Sequence, residues 1–190
     1  MSNDSALFVD AFHAALDAAR EMSDGSGIVG YGVASLFDGD GRLRDVTPFS
    51  NLITDAGDLY YASKGIVGIS PANPTAPTAV TGMQIGSGTT AVAKSGAGGG
   101  IVTFLAGQAF DASFPATANL GAGLGVNMQY KTTYGAGVGT GSVAEATIVN
   151  STIGTAGPVA NTIARVTFTA ITKGASDTLA ITWNHKFLGA

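Results

Sequence analysis

The closing stretch of the chain limits its fold more than any other part. Residues 163–171 and 178–187 read as two strands joined by the turn Thr172-Lys-Gly-Ala-Ser-Asp177. In the second strand Leu179, Ile181, Trp183, His185 and Phe187 share one face, while Thr178, Ala180, Thr182, Asn184 and Lys186 share the other. A period of two held along a whole segment marks a half-buried β-strand, because successive side chains point to opposite faces of a sheet. This hairpin sets a β-rich fold near the C-terminus. Nothing comparable in the chain points to an active site.

The rest of the chain fits one β-rich body with an appendage. Residues 5–23 carry a clear amphipathic helix pattern, in which Phe8, Phe12, Ala15, Leu16, Ala19 and Met22 recur at helical spacing. Asn3, Asp4 or Ser5 can cap that helix, and Asp24-Gly-Ser-Gly27 stops it. A lone amphipathic helix ahead of a β-body either packs across a sheet or reaches to a neighbour. Residues 28–46 read as a hairpin turned at Asp38-Gly-Asp-Gly41. The same four residues are a fragment of a calcium loop, but the further ligands and the closing Glu are missing.

A short helix is expected within 51–62, capped by Thr54 or Asp55. Pro71, Pro74 and Pro77 make 70–79 an extended linker. Further strands are expected at 83–91, 101–105, 126–134, 143–150, 162–171 and 178–187, with a flexible Gly-rich loop at 95–100. The pattern predicts a mainly β fold, an antiparallel β-sandwich or jelly roll preceded by an N-terminal amphipathic α-helix. The division is a helical arm at 1–27 and a β-rich domain at 28–190. Within the latter, 28–69 is hairpin and short helix, 70–79 linker and 80–190 the main sandwich.

Groups able to do chemistry are sparse. The chain has two His and no Cys, which argues against zinc and disulfides, and no metal or cofactor is expected. Gly86-Ser-Gly-Thr-Thr90 lacks the Lys of a phosphate loop, and no G-x-S-x-G elbow occurs. His13 sits beside Asp10 and Asp17 on the expected helix, and His185 shares a strand face with Trp183. Past residue 60 the acids are Asp111, Glu145 and Asp177, with no evident pairing, and Glu145 reads as an edge charge that deters mispairing. Trp183 with Tyr130 and Tyr134 could stack on a sugar, although a core Trp is the stronger reading. The chain is read as non-enzymatic.

Composition favours assembly. Charged residues are 12% of the chain against the usual ~25%, and mean hydropathy is +0.30, so much of the surface is expected to be covered by other chains. Residues 1–60 hold ten acids and three Arg, whereas 61–190 hold three acids and six bases. Opposite charge at the two ends suits contact between copies, with the acidic N-terminal segment docking on a basic neighbour. Contact residues would be Phe8, Phe12, Met22, Tyr130, Trp183, His185 and Phe187. The absence of a basic cluster with interleaved aromatics speaks against nucleic acid. With no long apolar run and no leader pattern, neither membrane insertion nor export is expected.

Several blocks bear a family likeness. Asn51-Leu-Ile-Thr-Asp-Ala-Gly-Asp-Leu-Tyr-Tyr-Ala62 resembles an opening segment of phage fibre and decoration-type proteins, and Met83-Gln-Ile-Gly-Ser-Gly-Thr-Thr-Ala-Val92 is similar to their Gly-rich strand-turn. Ala144-Glu-Ala-Thr-Ile-Val-Asn150 looks like a block in which an acid precedes a short strand and Asn. Arg165-Val-Thr-Phe168 and residues 171–183 resemble their closing hairpin. The likeness spans roughly residues 50–190 and leaves out the N-terminal helix and the acidic hairpin. It implies a virion structural protein of a tailed bacteriophage, made in the host cytoplasm and built into the particle in many copies. The expected type is a capsid decoration (cement) or head-fibre protein. The expected partners are itself, as a homotrimer or higher, and virion proteins such as the major capsid protein. A minor tail, neck or baseplate protein and a carbohydrate-binding host-recognition module are the alternatives.

Overall fold

The structure is a computed structural model and describes residues 10, 13, 27–65, 79–120, 125–150 and 152–188. Nine strands run β1 Gly27–Phe37, β2 Leu43–Ile53, β3 Gly82–Gly86, β4 Phe104–Ala109, β5 Ala116–Asn119, β6 Val126–Tyr134, β7 Gly141–Val149, β8 Thr162–Lys173 and β9 Thr178–Leu188. Among the described residues the one α-helix seen in full, α1 Asp55–Gly65, follows β2. The strands form a single antiparallel sheet in the order β4-β3-β7-β8-β2-β1-β9-β6-β5.

Chain connectivity forces this sheet to curl. β4 and β5 occupy its two opposite edges, yet only residues 110–115 join them. Six residues reach at most ~20 Å. A flat sheet of nine strands is ~38 Å wide. The sheet therefore bends into a half-barrel, with its two edges within reach of that link. The link crosses β6 on the way, where the Asp111 N–H donates to the Lys131 carbonyl at 2.9 Å.

This corrects the expected sandwich or jelly roll. β2 serves both halves of the sheet, pairing with β1 over Gly30↔Asn51 to Phe37↔Leu43 and with β8 at Leu52↔Arg165 and Ile53↔Ala164. With one strand common to both, the halves are continuous and not two separate layers. Pro48 is tolerated inside β2 because the β8 ladder reaches only its last two residues. Residues 28–53 lie between β8 and β9 and so belong to the same sheet as the main body.

The closing strands bear out the alternation. β9 lies between β1 and β6, paired from Gly27↔Leu188 to Phe37↔Thr178 on one side and from Val126↔Phe187 to Tyr134↔Leu179 on the other. Leu179, Ile181, Trp183 and His185 are all fully buried. Leu179, Ile181 and Trp183 join Leu36, Phe49, Met83, Ile85, Ile148 and Ile171 in the core on the concave side.

The short helix expected within 51–62 is α1, which begins at Asp55 and runs on to Gly65, while Asn51–Ile53 belongs to β2. The one α-helix described in full lies mid-chain. The helix expected over 5–23 lies outside the described residues except for Asp10 and His13, which are helical and exposed. The 70–79 linker lies outside them except for Ala79, which is exposed. Asp38 Oδ1 accepts the N–H groups of Asp40 at 3.0 Å and Arg42 at 2.9 Å, and Gly41 takes a φ of +79°, so this segment is a self-closed turn.

Candidate functional site

Helix α1 fixes the first cluster. Thr54, its cap, accepts the Gly57 N–H on Oγ1 at 3.0 Å and shares its own hydroxyl proton between the carbonyls of Thr162 and Ile163. The Asp55 N–H donates to the Lys94 carbonyl at 3.0 Å. Held in this way, α1 places Tyr61 against β9, with its ring centroid 5.6 Å from His185 and 5.2 Å from Phe187.

Hydroxyl bookkeeping orders every proton in this cluster. Tyr130 Oη donates to the Met128 sulfur at 2.7 Å, and a thioether can only accept. Tyr130 Oη, 2.9 Å from Tyr61 Oη, must therefore accept the Tyr61 proton. Tyr61 Oη has then spent its proton and accepts from His185 Nδ1. The chain runs His185 Nδ1–H to Tyr61 to Tyr130 to Met128, which fixes the tautomer and leaves Nε2 as a bare acceptor without a partner. Burial raises the hydroxyl pKa of Tyr61, and the neighbouring Tyr130 raises it further. Burial also raises that of Tyr130, partly offset by the bond it receives from Tyr61.

Burial holds the His185 pKa down at about 3. An unfolded His titrates near 6.5, so below that pH the unfolded chain takes up a proton that the native chain refuses. Stability from His185 is complete above pH ~6.5 and is lost as the pH falls toward 3. Between pH 6.5 and 4 the advantage of the native protein over His185→Gln should shrink by about 3 kcal/mol. Denaturant unfolding of both proteins across that range measures it. Parallel stability curves would show that His185 titrates normally.

A second cluster fastens the Gly-rich segment. Glu145 on β7 and Arg165 on β8 are both fully buried and pair at 2.8 Å. Glu145 also accepts the N–H groups of Gly88 at 2.9 Å, Val102 at 3.1 Å and Thr103 at 2.8 Å. Arg165 Nη1 donates to the carbonyls of Thr90 at 2.9 Å and Gly98 at 3.2 Å. One ion pair thus pins residues 88–103 to the sheet from two sides. Gly88 must lack a side chain, since a Cβ there would lie 2.4 Å from Glu145 Oε1. Residues 95–100 are accordingly a packed loop with Gly98 and Gly99 buried, and not a flexible one. Glu145 lies in an interior strand and not at an edge.

Other polar groups do similar work. Asp111 accepts the Thr133 N–H at 2.9 Å and hydroxyl at 2.7 Å. Asp177 takes the Gly174 N–H at 2.8 Å and faces Arg44 at 3.1 Å. Lys173 donates to the carbonyls of Gly135 at 2.9 Å and Asp177 at 2.6 Å, and burial lowers its pKa against the opposing pull of Asp177. Gln84 reaches the carbonyls of Ile153 at 3.3 Å and Thr155 at 2.5 Å and accepts the Gly157 N–H at 2.9 Å. Each of these side chains holds a loop.

Of the expected contact residues, Tyr130, Trp183 and His185 come together, all fully buried inside one chain, with Phe187 half-buried at the rim. Phe8, Phe12 and Met22 lie outside the described residues. Tyr134 is also fully buried, so the three aromatics form no exposed sugar-stacking platform. His185 bonds a tyrosine and not a carboxylate. Among the described residues no group of three or more His, Asp or Glu side chains is placed to hold a metal ion.

Sequence reading missed Tyr61, Asn51, Gln84 and the Glu145–Arg165 pair. The pair had a signal: one acid and one base, each alone within an apolar strand run, can be buried only together. Tyr61 had none, since its role depends on where α1 lands. No protein-family model, no curated protein and no solved structure matches the chain.

Proposed function

We propose that this chain is a non-enzymatic structural subunit of a tailed-bacteriophage virion, a capsid decoration or head-fibre protein that acts through multivalent contacts. What carries the reading is how six polar side chains, all but one of them buried, are spent. Glu145, Arg165, Asp111, Lys173, Asp177 and Gln84 all fasten loops to the sheet. Groups used in this way preserve a shape, as a particle component needs, and are not left free to meet a substrate.

The sheet's outer edge supports the same reading. β5 is largely exposed and carries no charge, and Leu120 and Val126 beside it are 37% and 41% exposed. Edges left without Lys or a bulge invite pairing with another chain, so copies or virion partners have a place to attach. Quantitative mass spectrometry of purified particles tests the proposal. Copies in the hundreds per particle are expected. A handful would assign the chain to the tail, neck or baseplate, and absence from the particle would refute a virion role.

A further inference from the structure

Two of the buried polar atoms that lack a hydrogen-bond partner have complementary needs. The chain of bonds from His185 to Met128 leaves His185 Nε2 as an acceptor on a fully buried ring. Asn51 Nδ2 is a donor with no acceptor, on a residue only 7% exposed. The orientation of that amide is fixed. Trp183 Nε1–H donates to Asn51 Oδ1 at 2.6 Å, and an indole nitrogen can only donate, so Oδ1 and Nδ2 cannot exchange places.

The sheet sets both residues on one rung. Gly30 of β1 pairs with Asn51 of β2 on one side and with His185 of β9 on the other. Residues paired across a ladder point to the same face, so both side chains rise on the concave side of Gly30. Gly30 has no side chain to part them, and Asn51 leans over it. A Cβ on Gly30 would lie 1.8 Å from Asn51 Oδ1 and 2.5 Å from Nδ2. One ladder spacing, roughly 5 Å, separates that position from the His185 Cβ. Asn51 and His185 also border the same indole, since the Trp183 and His185 ring centroids are 6.2 Å apart. Nδ2 and Nε2 make no direct bond, and two hydrogen bonds in series cover an interval of this order.

We propose that one buried water bridges Asn51 and His185, accepting from Nδ2–H and donating to Nε2. Buried waters settle where otherwise unsatisfied polar groups face each other. The pair selects its ligand by chemistry. A cation would meet the Nδ2 hydrogens and an anion the Nε2 lone pair, so the occupant has to be small, uncharged and both donor and acceptor. With the water in place the protons run one way through the core. Trp183 donates to Asn51, Asn51 to water, water to His185, His185 to Tyr61, Tyr61 to Tyr130 and Tyr130 to Met128. Each bond in such a series polarises the next. The series ties β2, β9, α1 and β6 together, and it stands independently of the virion reading.

Nuclear magnetic resonance on the whole, isotope-labelled native chain tests this without a variant. Ring correlations should show His185 protonated at Nδ1 and bare at Nε2. The Asn51 side-chain amide should give cross-peaks to water of opposite sign in laboratory-frame and rotating-frame Overhauser spectra, the mark of a held water as against hydrogen exchange. A proton on Nε2, an amide with no water contact, or a scalar coupling passed directly from Asn51 Nδ2 to His185 Nε2 overturns the proposal. Relaxation dispersion of the water oxygen gives a second reading. His185→Phe keeps a ring in place but offers no acceptor, so it should lose one long-lived water. An unchanged count in a folded His185→Phe overturns the proposal too, and if that variant does not fold the spectra of the native chain decide.

Discussion

Replacing Glu145 with alanine lowers the unfolding free energy by about 4 kcal/mol and opens the 88–103 segment to proteolysis. The change strands a fully buried guanidinium and, with it, three backbone N–H groups that the carboxylate had satisfied. Domains of this size are stable by only about 5–15 kcal/mol, so the loss is a large fraction of the whole. Arg165→Met is milder, because Glu145 keeps its backbone donors. The double variant Glu145→Leu/Arg165→Met should recover part of the loss by removing both charges. It cannot recover all of it, since the loop amides remain unpaired. Denaturant titrations of the two singles and the double give the coupling, and limited proteolysis locates the loosened segment. If Glu145→Ala unfolds like the native protein, the pair is not the fastening it is taken to be.

Trp183→Ala should cost about 4 kcal/mol. The indole is fully buried at the centre of the concave core, edge-on to Phe49 at 5.1 Å and to His185 at 6.2 Å. Its Nε1–H also donates to Asn51 Oδ1 at 2.6 Å. Trp183→Phe separates the two contributions. It keeps most of the ring and drops the hydrogen bond, so it should cost about 2 kcal/mol, much of it from the unpaired Asn51 carbonyl. Adding Asn51→Leu to Trp183→Phe should then cost little more, provided the space is filled. A Trp183→Ala loss below about 1 kcal/mol would mean that the core collapses around the hole.

How much of this was legible follows from the range of each interaction. Alternation in 178–187 is local, and it correctly put Leu179, Ile181, Trp183 and His185 on one buried face. The cap is local too, and Thr54 was one of the two residues expected to form it. The strand at 116–119 was missed because Ala-Thr-Ala-Asn is only four residues long and alternates on nothing larger than alanine. The Gly-rich 95–100 segment looked flexible, since nothing near it in sequence reveals that Arg165 holds it. Single-sheet topology was equally hidden. It depends on β2 finding β8 across more than a hundred residues, a pairing that hydropathy does not encode. Tyr61 and His185 meet only because α1 is hung on β8 by Thr54.

The pairing of β1 with β9 has a mechanical consequence. Gly27 stands opposite Leu188, so the chain enters and leaves the sheet at the same rung. A load that comes in through one flanking segment and goes out through the other meets an antiparallel ladder end-on. It peels the rungs apart singly, in the weakest direction such a ladder has. A load carried from this end to the far hairpin would instead shear many rungs at once. In the proposed particle role, a subunit of this build is best anchored by its sheet edges, with the segments flanking β1 and β9 left out of the line of force.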